Sequence, residues 1–132
     1  MTIIPLSIEE RAASGLTHAV TVDYNDVTQS TLIALPAGSV VGRVSVGVST
    51  AWNSGTSAAI SVGTTASATA YHNAQNLLAA GSRYYLYNTG AVITAASQFL
   101  VVTLAVAGTA ATAGKCTIGL QLVDLTQLPV AA

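Results

Sequence analysis

Residues 41–50, VGRVSVGVST, set valine against small or polar residues with a period of two. Val44, Val46 and Val48 fall on one side, and Arg43, Ser45, Gly47 and Ser49 on the other. Successive strand side chains point to opposite faces, whereas a helix would scatter these valines around its axis, so the stretch predicts a half-buried strand. The same alternation groups His18, Val20, Val22 and Tyr24 in LTHAVTVDY, and Ile60 with Val62 in AAISVG. The run FLVVTLAV, residues 99–106, is apolar on both sides, the pattern of a central strand between two covered faces. Further strands are expected at 30–35, around 84–87 and at 115–123.

The punctuation between these runs fits the same class. Leu35-Pro36-Ala37-Gly38 has turn chemistry, and Asn53-Ser54-Gly55 and Asn88-Thr89-Gly90 place Asn and Gly where a positive φ is cheap. AGTAATAG, residues 107–114, is expected to close a hairpin with a long loop between the apolar run and the strand after Lys115. Helical character is confined to residues 7–14, with Glu9, Glu10 and Arg11, and to residues 72–80, with Leu77 and Leu78. Several short strands at this spacing predict an all-β chain, an antiparallel β-sandwich or jelly-roll-like barrel with at most one or two short helices. No internal repeat divides it. We expect an N-terminal arm over residues 1–16 and a single β-sandwich domain over 17–132.

Composition then narrows the function. Of 132 residues, 52% are hydrophobic and only 7% charged, the reverse of a disordered chain. Four basic residues, Arg11, Arg43, Arg83 and Lys115, cannot form the dense cationic face that displaces counterions from nucleic acid, so no nucleic-acid partner is expected. From Val44 to Gly114 only Arg83 carries a charge. A solitary soluble domain usually has about a quarter of its residues charged. A surface this poor in charge is expected to be covered largely by other protein, with residues 44–114 supplying most of the subunit interface.

Residues 91–114 are interrupted by Thr94, Ser97, Gln98, Thr103, Gly108, Thr109, Thr112 and Gly114, short of the roughly 18 consecutive apolar residues a spanning helix requires, so no membrane partner is expected. The N-terminal MTIIPLSIEERAASG puts its charges after the apolar residues, the reverse of a secretory signal.

Chemistry is sparse. Cys116 shares a strand face with Ile118, Leu120 and Leu122 and reads as a small buried hydrophobe, with no second ligand at metal-binding spacing. Glu9 and Glu10 diverge on a helix start, Asp23 and Asp26 flank a turn, and with Asp124 they form no evident catalytic pair. No Gly-x-Ser-x-Gly elbow accompanies His18 or His72. GTAATAGKCT imitates a phosphate-binding loop, yet Gly108 to Gly114 is one residue too long and Cys116 stands where the metal-binding hydroxyl belongs. The expectation is a protein that is not an enzyme and holds no cofactor or metal. Trp52, Tyr84, Tyr85 and Tyr87 leave one binding alternative, a platform on which sugar rings of a host-surface glycan could stack, against the plainer reading that Trp52 plugs one end of the sandwich.

Residues 35–66, LPAGSVVGRVSVGVSTAWNSGTSAAISVGTTA, resemble a segment of small β-sandwich structural proteins of tailed bacteriophages: an aliphatic-Pro-Ala-Gly turn, a valine-alternating strand, Thr/Ser-Ala-aromatic with a Gly turn, and a short strand ending in Val-Gly. Thr64 stands where related copies often carry Asp. Such segments occur in head decoration (cement) proteins and in tail- or head-fibre modules. The resemblance implies a decoration protein that binds the assembled head as a homotrimer and stabilises it, with the major capsid protein as partner. Its place would be the capsid exterior of the virion, after synthesis in the bacterial host cytoplasm. The apolar Ile3, Ile4, Pro5, Leu6 and Ile8 of the arm are the expected capsid or subunit contacts, and a fibre module binding a host glycan is the alternative.

Overall fold

The strands predicted from alternation form two stacked antiparallel sheets. The computed structural model describes residues 1–94 and 98–124, with the side chains of 86–91 and 124 excepted. Along the chain come β1 (Thr2–Ile4), α1 (Ile8–Ser14), β2 (His18–Asp23), β3 (Gln29–Leu35), β4 (Ser39–Thr50) and β5 (Ser57–Thr64). Then follow β6 (His72–Asn76), β7 (Arg83–Val92), β8 (Gln98–Ala107) and β9 (Lys115–Asp124). One sheet has the order β1-β2-β9-β4-β7 and the other β3-β8-β5-β6. The pairings nest: β2 with β9, β3 with β8, β4 with β7, and β5 with β6.

The alternation points the core inward. Val44, Val46 and Val48 of β4, Val20 and Val22 of β2, and Ile118 and Leu120 of β9 meet Ile60 and Val62 of β5 and Leu100, Val102 and Leu104 of β8. Each is nearly or fully buried, and burial of one such aliphatic side chain is worth about 1.5–3 kcal/mol. Cys116 lies in this core as well, and burial, with Asp23 and Asp26 nearby, pushes its thiol pKa up to about 12. It is therefore an inert hydrophobe at neutral pH.

Local chemistry fixes the ends. Ser7 caps α1 by accepting the Glu10 N–H at 3.1 Å, with Glu9 and Glu10 in the first turn where the helix dipole favours acids. Gly15 ends the helix at φ 72°, donating to the Arg11 carbonyl at 2.9 Å. Between β3 and β4, Gly38 takes φ 88°, and the Ser39 hydroxyl and N–H both donate to the Pro36 carbonyl. This is the turn that the Pro-Ala-Gly sequence specifies.

Four expectations need correction. Residues 72–80 are not helical: His72–Asn76 pairs with β5, and Ala74 adopts φ 52°, which a helix forbids. Residues 107–114 do not close a hairpin, because β8 and β9 belong to different sheets and the loop crosses between them. Asn88-Thr89-Gly90 does not end a strand. It lies within β7, where Tyr87 to Ala91 spans the register that β4 covers from Val41 to Arg43, so the extra residues are taken up as a bulge. Finally, β8 is central in its sheet but only partly covered on its outer face, where Val101 is buried while Phe99 and Ala105 are exposed.

Candidate functional site

Assigning each charged residue to an element divides the sandwich electrically. Asp23 is on β2, Arg43 on β4, Arg83 on β7, and Lys115 and Asp124 on β9. Asp26 sits in the β2–β3 turn, and Glu9, Glu10 and Arg11 are on α1. The sheet β3-β8-β5-β6 contains no Asp, Glu, Lys or Arg. One sheet with its attached helix thus carries every strand charge, and the other carries none.

The outer faces differ in cover as well. Beyond α1, Leu16 lies against Gly119 of β9, where an added Cβ would approach Leu16 Cδ1 to 2.6 Å. Arg43 donates to the Ser14 carbonyl, and Thr17 donates its N–H to the Leu120 carbonyl at 2.9 Å, so the segment after β1 is fastened across the charged sheet. On the uncharged sheet, the turn after β5 folds back at Gly63, close to the Ser67 carbonyl. Thr31, Ala34, Phe99 and Ala105 remain exposed there.

The arm residues lie at the sheet margin. Ile3 and Ile4 are on β1, paired in register with Val20 and Ala19 of β2. Ile3 is 47% exposed and Ile8, on α1, 86% exposed; Pro5 is exposed, and Ile4 and Leu6 are half-buried. β1 is thus an edge strand with apolar side chains open to solvent. Alternation gave no sign of it, because three residues are too few to establish a period.

The aromatic residues do not form one platform. Trp52 is 2% exposed and belongs to the core, so it offers no ring face to a sugar, and the stacking expectation is corrected for this residue. Its backbone N–H donates to the Leu77 carbonyl at 2.9 Å, and a Cβ on Gly114 would come within 2.7 Å of indole Cε2. Asn53 holds residues 112–114 beside the indole: its Oδ1 accepts the N–H groups of Thr112 (2.7 Å) and Ala113 (3.1 Å), and its Nδ2 donates to Thr112 Oγ1 (2.8 Å). Tyr84 packs against the core and donates its hydroxyl to the Asn76 carbonyl at 2.8 Å, tying β7 to β6. Tyr85 is 49% exposed on the opposite face. Tyr87 lies on β7, and its side chain is outside the described residues.

Sequence reading missed a groove of about 450 Å³ at the end of the sandwich, lined in part by Tyr24, Asn25, Asp26, Thr28, Val106 and Ala111. The Asp26 carboxylate is already engaged there by the Asp23 N–H at 2.7 Å and by the α-amino group at 2.7 Å. His72 is buried, with Nε2 3.0 Å from the Val44 carbonyl of the facing sheet, and so serves as a tie between layers. His18 Nδ1 lies 2.9 Å from Thr17 Oγ1; burial, aided by Arg11, lowers its pKa. Among the described residues no group of three or more His, Cys, Asp or Glu gathers to hold a metal. No helix among them is long and apolar enough to cross a membrane.

No family model matches the chain, and no curated protein matches it in sequence. Among solved structures, a chain of the cyanophage Pam1 capsid asymmetric unit is similar, with a TM-score of 0.54 over 77% of this chain and 77% of that one. At 19% identity the likeness is one of fold.

Proposed function

We propose that the protein is a structural component of a bacteriophage head: a decoration protein that binds the assembled capsid as a homotrimer, with the major capsid protein as partner. The observation that carries this reading is the shared fold with a phage capsid chain over most of both chains. The nested order of β2-β9-β4-β7 over β3-β8-β5-β6 supports it further, since such nesting suits a jelly roll, an architecture that recurs in viral capsid domains. Composition points the same way: a surface with so few charges suits a protein that works within an assembly rather than alone in solution.

In this reading the protein acts by binding rather than by catalysis, and it needs no cofactor. A protein that binds the assembled shell and not its separate subunits stabilises the shell by mass action. Closed cyclic symmetry limits the oligomer to a defined size. The exposed Ile3 and Ile8 at the sheet margin are the arm's contacts with capsid or neighbour. The fibre alternative is the weaker one, because burial of Trp52 takes the largest ring out of its platform.

Copy number in purified virions tests the proposal. Quantitative mass spectrometry against the major capsid protein should find this chain in a fixed ratio on the scale of the capsid lattice. A small number per particle, as for a tail or fibre, would overturn the decoration reading.

A further inference from the structure

We infer that the outer face of the uncharged sheet, β3-β8-β5-β6, is where copies of this chain meet, with each copy turning this face toward the symmetry axis. The inference rests on the homotrimer reading above and names the surface that makes it.

The occupant follows from charge. No Asp, Glu, Lys or Arg lies on any of the four strands, whereas the opposite sheet and α1 carry charges of both signs. A partner surface bearing a carboxylate or ammonium would lose water there and find no counter-ion, which is a large desolvation penalty. The partner face must therefore be uncharged too. Another copy of the same face meets that condition, and three copies facing a common axis meet only their own kind.

Texture agrees. The turn after β5 covers the face at Gly63, and Val101 beside it is buried, so the open part is the surface around Thr31, Ala34, Phe99 and Ala105. The outward positions are mostly small. Ala34 pairs with Phe99, Ala59 with Ala105, and Ser61 with Thr103, so backbones can approach closely around the one large ring. Gln29 Nε2 already donates to Thr103 Oγ1 at 3.1 Å, which leaves less polar capacity to be satisfied by a partner.

The test places one charge on each sheet. Ala105→Lys and Thr31→Lys alter exposed outward positions of the uncharged sheet, and Thr117→Lys alters an exposed position on β9 of the other. Light scattering on the eluted full-length protein should give a trimer for wild type and Thr117→Lys, and a threefold lower mass for Ala105→Lys and Thr31→Lys. Far-ultraviolet dichroism should show the strand signal unchanged in all of them. Uncharged-sheet variants that stay trimeric, or a monomeric wild type, would overturn the inference. Sedimentation with purified heads separates the two ideas. Wild type that binds heads while both lysine variants stay trimeric sinks this inference alone, and a charge-sensitive trimer that never binds heads sinks the capsid proposal alone.

Discussion

At the residue scale, Trp52 shows how a position that looks like a ligand platform becomes a structural plug. The sequence places an indole just before a turn, where either role fits. The cover that decides between them comes from residues 112–114, held beside the ring by Asn53. Gly114 can lie there because it has no Cβ and because its φ of 154° suits glycine. Trp52→Ala should lower unfolding free energy by about 3–5 kcal/mol, the range for deleting a large buried aromatic. Trp52→Phe should lose clearly less, because it keeps a ring in the site and removes an indole N–H that is buried without a hydrogen-bond partner among the described residues. Urea denaturation of the two variants checks both; an Ala variant within about 1 kcal/mol of wild type would mean that the site collapses at little cost.

At the element scale, β2 and α1 give the fold a pH dependence. Burial, then the Arg11 charge, holds the His18 pKa below its ordinary 6.5. The unfolded chain therefore takes up this proton more readily than the folded one. Stability from this group is fully present above about pH 6.5 and declines as pH falls toward the folded-state pKa. Thermal melts between pH 7.5 and 5.5 should show a falling midpoint for wild type and a flatter profile for His18→Asn; parallel profiles would remove His18 as the cause. Elements with a clear period or an unbroken apolar run were legible from sequence: β2, β4, β5, β8 and β9 stand where those patterns put them, and α1 falls within the stretch 7–14. Those defined by their partners were not. β6 lacks a hydrophobic period and is a strand because β5 pairs with it, and Asn88-Thr89-Gly90 carries turn chemistry that a bulge absorbs. The crossing of residues 107–114 from one sheet to the other is not legible, because periodicity reports which face a residue takes, not which sheet its strand joins.

At the scale of the whole molecule, the low charge content becomes an arrangement. Along the sequence, the charge-poor stretch from Val44 to Gly114 includes strands of both sheets. Folding sorts them: β5, β6 and β8 join the charge-free β3, while β4 and β7 contribute Arg43 and Arg83 to the other side. The shortage of charge was thus readable from composition, but the face that carries none emerged only with the strand order. The same holds for the arm, whose apolar residues were plain in the sequence although their place on an edge strand beside β2 was not. The central claim, that this protein reinforces an assembled head, is tested most directly by adding it to purified heads that lack it and heating them until DNA is released to a fluorescent dye. The expected result is saturable binding with a release temperature that rises as occupancy rises. An unchanged release temperature, with the protein left in the supernatant at saturating concentration, would contradict it.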